Sequence, residues 1–248
     1  MSGFHLITFP PSQDSELSRF LLRHYRIGYT ENPHTLFFSS LFTLVRAGTF
    51  LFPALYGEGQ RLHGPIPIRK HFEATAPTEL KLHPQGVDPK DLDADSALIR
   101  STLAPASRLF AYYHLVGIRE LLIPSISTGT PRFERWFVRR FYRFYALFLR
   151  LTLRLTAANE VRARQTAEAI MQQIDDRLSD GRRYLLGDQL TESDILFAVA
   201  AAALVWPDEY GGPVPILEVM PAAIQELAKT MRDRPSGRHA LRVYREHR

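Results

Sequence analysis

The sequence predicts a small α/β domain followed by a larger all-α domain. Three observations carry this. Short apolar runs punctuated by proline and glycine alternate with helical patterns up to about residue 75. From Thr75 to Ser96 the composition shifts to Pro, Asp and Lys without periodicity, as in an interdomain linker. Beyond it the apolar spacing is helical and no strand pattern stands out. The expected boundaries are 1–76 for the α/β domain, 77–96 for the linker and 97–248 for the helical domain.

Phe4 to Phe9 is an aromatic-rich apolar run ended by Pro10 and Pro11, the pattern of a strand feeding a loop. A helix should follow. Leu17, Phe20, Leu21 and Tyr25 share one face, Asp14 and Glu16 sit in the first turn, and Arg19, Arg23 and His24 come later, as the helix dipole favours. Arg26 to Thr30 is the next strand candidate, completing a strand, helix, strand unit. Thr35 to Phe50 has a helical rhythm that stops near Gly48. Leu51 to Tyr56 reads as a strand despite Pro53, which cannot donate to a ladder. The turn Tyr56-Gly57-Glu58-Gly59, a short strand from Gln60 to Leu62 and a helix from Ile66 to Phe72 close the domain.

In the second part, Val161, Ile170, Met171, Ile174 and Leu178 form one stripe, with Asp180-Gly181 as its stop. Asp175 and Asp176 are adjacent, so they do not face each other as acid/base partners, and both are expected to be solvated. In "GDQLTESDILFAVAAAAL", Thr191 and Asp194 have the spacing of a capping box. Leu190 and Ile195 supply the hydrophobic staple of a buried apolar helix.

Of 248 residues, 45% are hydrophobic and 23% charged, enough for a sizeable core. There is no cysteine, which excludes disulfides, thiolate metal sites and protein-based thiol redox chemistry, so any sulfur nucleophile must come from a ligand. The scattered histidines form no metal-ligand motif, and no metal is expected. No signal-peptide pattern or bilayer-length apolar run is seen, and the expected location is the cytoplasm. The net charge of +5 is concentrated: residues 132–154 hold seven arginines and one glutamate. Phe133, Trp136, Phe137, Phe141, Phe144, Tyr145 and Phe148 interleave with them, so the segment reads as one amphipathic helix. Its plain role is a core helix with solvated or paired arginines. The pattern also admits an anionic membrane surface, while the lack of a second basic stripe or base-reading motif argues against nucleic acid.

"GRRYLLGDQLTESDILFA" resembles the capped central helix in the C-terminal domain of glutathione transferases, and "FPAL" at 52–55 resembles their third strand, which carries a cis proline. The closing stretch from Val205 onward is similar to a group of bacterial transferase-like proteins of the serine or cysteine type. The resemblance implies an α/β thioredoxin-like N-terminal domain followed by an all-α helical-bundle C-terminal domain, covering essentially the whole chain. It also implies glutathione as co-substrate, a homodimer and a small apolar electrophile as the second substrate.

By the same resemblance, "SQDS" places Ser12 where the family holds the glutathione sulfur, with Ser15 as the second candidate. A serine hydroxyl and a helix N-terminus both favour thiolate and lower a thiol pKa from about 8.5. The residues alone allow a plainer role, in which Ser12 only caps the helix. Pro53 would be cis, leaving the Phe52 backbone to pair with the cysteinyl part of glutathione. Where the family holds the γ-glutamyl group with an acidic residue or glutamine followed by serine, this chain has Gly64 and Pro65, which offer no side-chain hydrogen bond. His63, Arg69 and Lys70 are the polar neighbours. Tyr113 and Trp206 are candidates for an apolar acceptor pocket, with core packing the alternative for each. Two functions follow: conjugation of glutathione to an apolar electrophile, or a repurposed, non-catalytic member that binds an apolar ligand or protein partner without glutathione.

Overall fold

The computed structural model describes residues 3–248. The chain forms two compact units, the first comprising Met1–Leu80, Arg119–Tyr145 and Gly211–Pro215, the second Lys81–Ile118, Ala146–Tyr210 and Ile216–Arg248.

The first unit is built on β1 (Phe4–Thr8), α1 (Gln13–His24), β2 (Tyr29–Pro33), α2 (Leu36–Ala47), β3 (Ala54–Gly57), β4 (Gln60–His63) and α3 (Pro65–Glu73). The four strands order as β2-β1-β3-β4. β1 runs parallel to β2 and antiparallel to β3, and β4 returns antiparallel to β3. Leu6, Ile7, Ala54 and Leu55 are almost fully buried, as expected of central strands covered on both faces.

β2 begins later than the Arg26–Thr30 run suggests. Arg26 takes φ 58°, its N–H donates to Arg23 O, and the Ile27 N–H reaches Leu22 O. That is a Schellman closure of α1, so residues 26–28 end a helix and the strand starts at Tyr29. β3 likewise starts after Pro53, which has no ladder N–H to give. The Phe52–Pro53 peptide bond is cis.

Two further helices, α6 (Arg119–Ser127) and α7 (Arg132–Arg140), belong to the first unit, as does the start of α8 (Tyr142–Thr152). The pattern at 132–154 suggested one helix. It divides at Phe141, with φ −112° and ψ 23°, and neither proline nor glycine marks the break. α7 is fastened to the N-terminus of α2. Glu134 accepts from His34 Nδ1 at 2.7 Å and from the Thr35 main-chain N–H at 2.8 Å, while Phe38 meets Phe133 and Phe137 edge-on.

The second unit contains α4 (Pro89–Leu98), a π turn at Ile99–Leu103, α5 (Ala104–Leu115), the rest of α8, α9 (Ala157–Leu178), α10 (Glu192–Val205), α11 (Ala222–Arg232) and α12 (Pro235–His247). The expected linker thus includes much of α4, whose N-terminus Asp88 caps by accepting from the Lys90 N–H at 2.9 Å. α10 lies at the centre and is buried along almost its whole length, against α5, α11 and α12. Asp175 departs from the expected solvated state: it accepts from Arg234 Nε and the Ser236 N–H, both at 2.7 Å, and so ties α9 to the start of α12. The Asp176 carboxylate accepts from the Gln172 amide, on the exposed side.

Candidate functional site

Strand register brings three sequence-predicted segments to one end of the sheet. Ile7 pairs with Ala54, and Ala54 with His63. The loop after β1 (Phe9 to Ser12), the Phe52–Pro53 segment before β3 and the Gly64–Pro65 junction after β4 therefore emerge together. Their contacts agree: the rings of Phe9 and Phe52 meet edge-on at 6.0 Å, and the Gly64 N–H donates to Pro53 O at 2.8 Å.

Ser12 is the N-cap of α1, with extended backbone and a hydroxyl that accepts from the Ser15 N–H at 3.4 Å. That bond is long, and Ser12 is only partly buried. A hydroxyl so placed keeps its proton for another acceptor, beside the positive end of α1. Ser15 differs. It is fully buried, and its Oγ accepts the Phe9 N–H at 3.2 Å, a bond that closes the loop.

Sequence reasoning missed the residues beneath this loop. Arg19, 2% exposed, donates to Pro10 O at 3.1 Å, to Glu16 at 3.3 Å and to Glu31 at 2.7 Å. Glu16, read only as a dipole-favouring residue, is fully buried and also accepts the Gly211 N–H at 3.0 Å. Thr8 donates to Glu31 at 2.6 Å. The loop carrying Ser12 thus rests on a buried guanidinium with two carboxylates. The signal in the sequence is Glu16 and Arg19 three apart on α1, which is common enough to pass for a surface pair.

The Gly64–Pro65 end is poor in donors. Gly64 adopts φ 83° as N-cap of α3 without a side-chain cap, and the first turn reads Pro65-Ile66-Pro67, leaving Ile66 with the one main-chain N–H among those three residues. Arg69 is buried, Lys70 is exposed, and His63 Nδ1 is a buried atom without a hydrogen-bond partner.

The remaining candidates lie in the second unit. Burial around its hydroxyl pushes Tyr112 up to about 12, against the opposing charge of Arg108, although Tyr112 and its neighbour Tyr113 are both partly exposed as whole residues. Trp206 is 7% exposed and left-handed, φ 51°; it ends α10, and its carbonyl accepts from Arg232 at 2.6 Å. Asp194 meets the expected cap, accepting from the Thr191 N–H at 2.9 Å and the Thr191 hydroxyl at 2.8 Å. It also takes the Leu185 N–H at 2.8 Å and lies 2.9 Å from His239 Nε2 on α12, a partnership that no local pattern announces. Arg242 can only donate to His239 Nδ1, which places the imidazole proton on Nε2, facing Asp194.

No family model matches the chain, and no curated protein matches it. Solved structures do, over nearly full length. A β-etherase from a Sphingobium species aligns at TM-score 0.59 with 15% identity, covering 97% of this chain and 99% of its own. A glutathione S-transferase of Ceriporiopsis subvermispora in complex with glutathione aligns at 0.57 with 14% identity, over 99% and 98%. A glutathione S-transferase I bound with lactoylglutathione aligns at 0.57 with 16% identity, over 98% and 100%. The chain has the fold of the glutathione S-transferases, a thioredoxin-like α/β part and an all-helical part.

Proposed function

We propose that the protein is a glutathione transferase-like enzyme that joins the thiol of glutathione to an apolar electrophile. The observation that carries this reading is the Ser12 hydroxyl, at the N-terminus of α1 and at the sheet end where the Phe52–Pro53 and Gly64–Pro65 segments meet. Similar structures with glutathione bound support a thiol tripeptide as the ligand.

Each part of the site fits that ligand to a different degree. Ser12 would donate to the sulfur and, with the α1 dipole, stabilise thiolate over thiol. Conjugation forms a sulfur–carbon bond after the S–H bond gives its proton to solvent. The electrophile either releases a leaving group with its electron pair or, at an activated double bond, shifts the π pair to the adjacent atom, which takes a proton from solvent. The main chain of Phe52 would pair with the cysteinyl amide. The γ-glutamyl end fits least, because Gly64, Pro65 and Pro67 offer a charged headgroup almost no donors. His63, Arg69 and Lys70 are the groups near enough in sequence to compensate.

That same deficit favours a second reading, a repurposed member that has kept the fold and lost glutathione. Calorimetric titration of glutathione and of an S-alkylated glutathione into wild type and Ser12→Ala separates the two. Wild-type binding, with the bound thiol titrating at higher pH in Ser12→Ala, supports conjugation. Absence of binding up to millimolar concentration supports the repurposed member.

A further inference from the structure

The aromatic face of α2 and α7 in the first unit has no role in that reading. Phe37, Leu41, Val45 and Phe50 on α2 and the loop after it are exposed, as are Phe133 and Trp136 on α7 and Phe144 at the start of α8. These helices touch through Phe38 with Phe133 and Phe137, and through Phe37 with Tyr145, so the exposed side chains belong to one packed assembly. Scattered exposed apolar residues need no explanation, but an aromatic patch on packed neighbours does.

The two segments that form the patch present charge of one sign to solvent. Residues 35–57 contain Arg46 and no acidic residue, and residues 131–145 contain five arginines and Glu134. Glu134 is 2% exposed and committed to His34 and Thr35, so it offers no negative charge to solvent. Among the described residues, Arg132, Arg135, Arg139, Arg140 and Arg143 form no ion pair. An open cleft of about 560 Å³ is lined by Arg119, Arg132, Arg135, Trp136, Arg139 and Arg140. A neighbouring cleft of about 520 Å³ shares Arg132 and Arg135, reaches Phe42 and Arg46 on α2, and is also lined by Glu31, whose carboxylate is paired with Arg19.

We propose that this α2–α7 face docks on an anionic lipid bilayer, with the aromatic and aliphatic side chains entering the interface and the arginine clefts receiving phosphodiester headgroups. Charge complementarity selects this occupant. A second copy would set arginine against arginine across a two-fold axis with no exposed carboxylate in either segment to answer it. Nucleic acid would satisfy the arginines and stack on the aromatics, but Leu41, Leu44, Val45 and Leu51 offer it nothing, whereas hydrocarbon buries them. Among the described residues no helix is long and apolar enough to cross a membrane, so the association is with the surface.

The test uses the full chain with vesicles of phosphatidylcholine, with and without phosphatidylglycerol, at low and high salt. Trp136 is 55% exposed and Trp206 is 7% exposed, so a blue shift of tryptophan emission on lipid binding reports Trp136. We expect sedimentation with the phosphatidylglycerol vesicles alone, weakened by salt and accompanied by that shift. Arg139→Gln with Arg140→Gln should weaken it about 30-fold. Trp136→Phe should sediment normally without the shift. Absence of sedimentation, equal sedimentation with pure phosphatidylcholine, or indifference to the double glutamine variant overturns the proposal. So does tighter binding to single-stranded DNA than to vesicles, or a doubling of mass in solution that shifts Trp136 without lipid. None of these readouts depends on glutathione binding.

Discussion

Arg19 on α1 grips Glu31 on β2 from two nitrogens, Nε at 3.0 Å and Nη2 at 2.7 Å from the same carboxylate oxygen. The geometry suits a planar guanidinium and not the point charge of lysine. With Nη1 on Pro10 O and Glu16, the same side chain also holds the loop that presents Ser12.

Arg19→Met should therefore do more than remove a charge. It leaves the buried Glu16 carboxylate without its guanidinium counter-charge, a loss on the order of 3–5 kcal/mol by urea unfolding. Arg19→Lys should recover part of this and leave the loop less ordered. Hydrogen exchange at residues 9–15 measures that disorder, and unchanged exchange in both variants would show that the loop does not rest on Arg19.

Ser12 and Ser15 should separate cleanly. Ser12→Ala removes a long capping bond and should cost about 1 kcal/mol. Ser15→Ala leaves the buried Phe9 N–H without its acceptor, a cost of about 1–3 kcal/mol. Under the conjugation reading the thiol-binding phenotype should follow the opposite order, with Ser12→Ala shifting the bound thiol's titration and Ser15→Ala leaving it in place. Ultraviolet absorbance of bound thiolate against pH reads this, and an equal shift in both variants would count against a specific role for Ser12.

The pattern of strands and helices in the first unit was legible because its punctuation is local: prolines after β1, Gly48 after α2, the Gly57–Gly59 turn between β3 and β4. Boundaries failed where the deciding contact was a backbone one. The αL turn at Arg26 used no glycine, and the break at Phe141 used neither glycine nor proline. At the site, Ser12, Pro53 and Gly64 could be picked out singly, and strand register then put their segments at one end of the sheet. Glu16, Glu134 and His239 were invisible, because each acquires its role from a partner distant in sequence: Gly211, His34 and Asp194.

Asp194 gives a test of that long-range contribution. A capping residue alone would cost about 1 kcal/mol on replacement. Asp194→Ala also abandons the Leu185 N–H and His239, so the expected loss is about 3–5 kcal/mol. Combined with His239→Ala, the two losses should fall short of additive, since they share one contact. Additive losses in thermal or urea unfolding would mean that the 2.9 Å contact contributes no coupling.

The remaining prediction concerns pH. Burial holds the His24 imidazole below its usual 6.5, opposed by its bond to Leu80 O and by Glu73, and reinforced by Arg26. Its Nε2 lies 2.9 Å from that carbonyl, which needs a donor, and the neutral tautomer supplies one. Because the native state takes the proton less readily than the unfolded chain, stability rises with pH across the interval between the two pKa values. On acidification the loss should begin near the unfolded value of 6.5 and level off once the pH is below the depressed native value. His24→Gln retains an N–H for Leu80 without a titrating group. The stability advantage of wild type over this variant should therefore shrink as the pH falls from about 7.5 to about 5. Parallel pH profiles of the urea midpoints would show that proton uptake at His24 is not linked to folding.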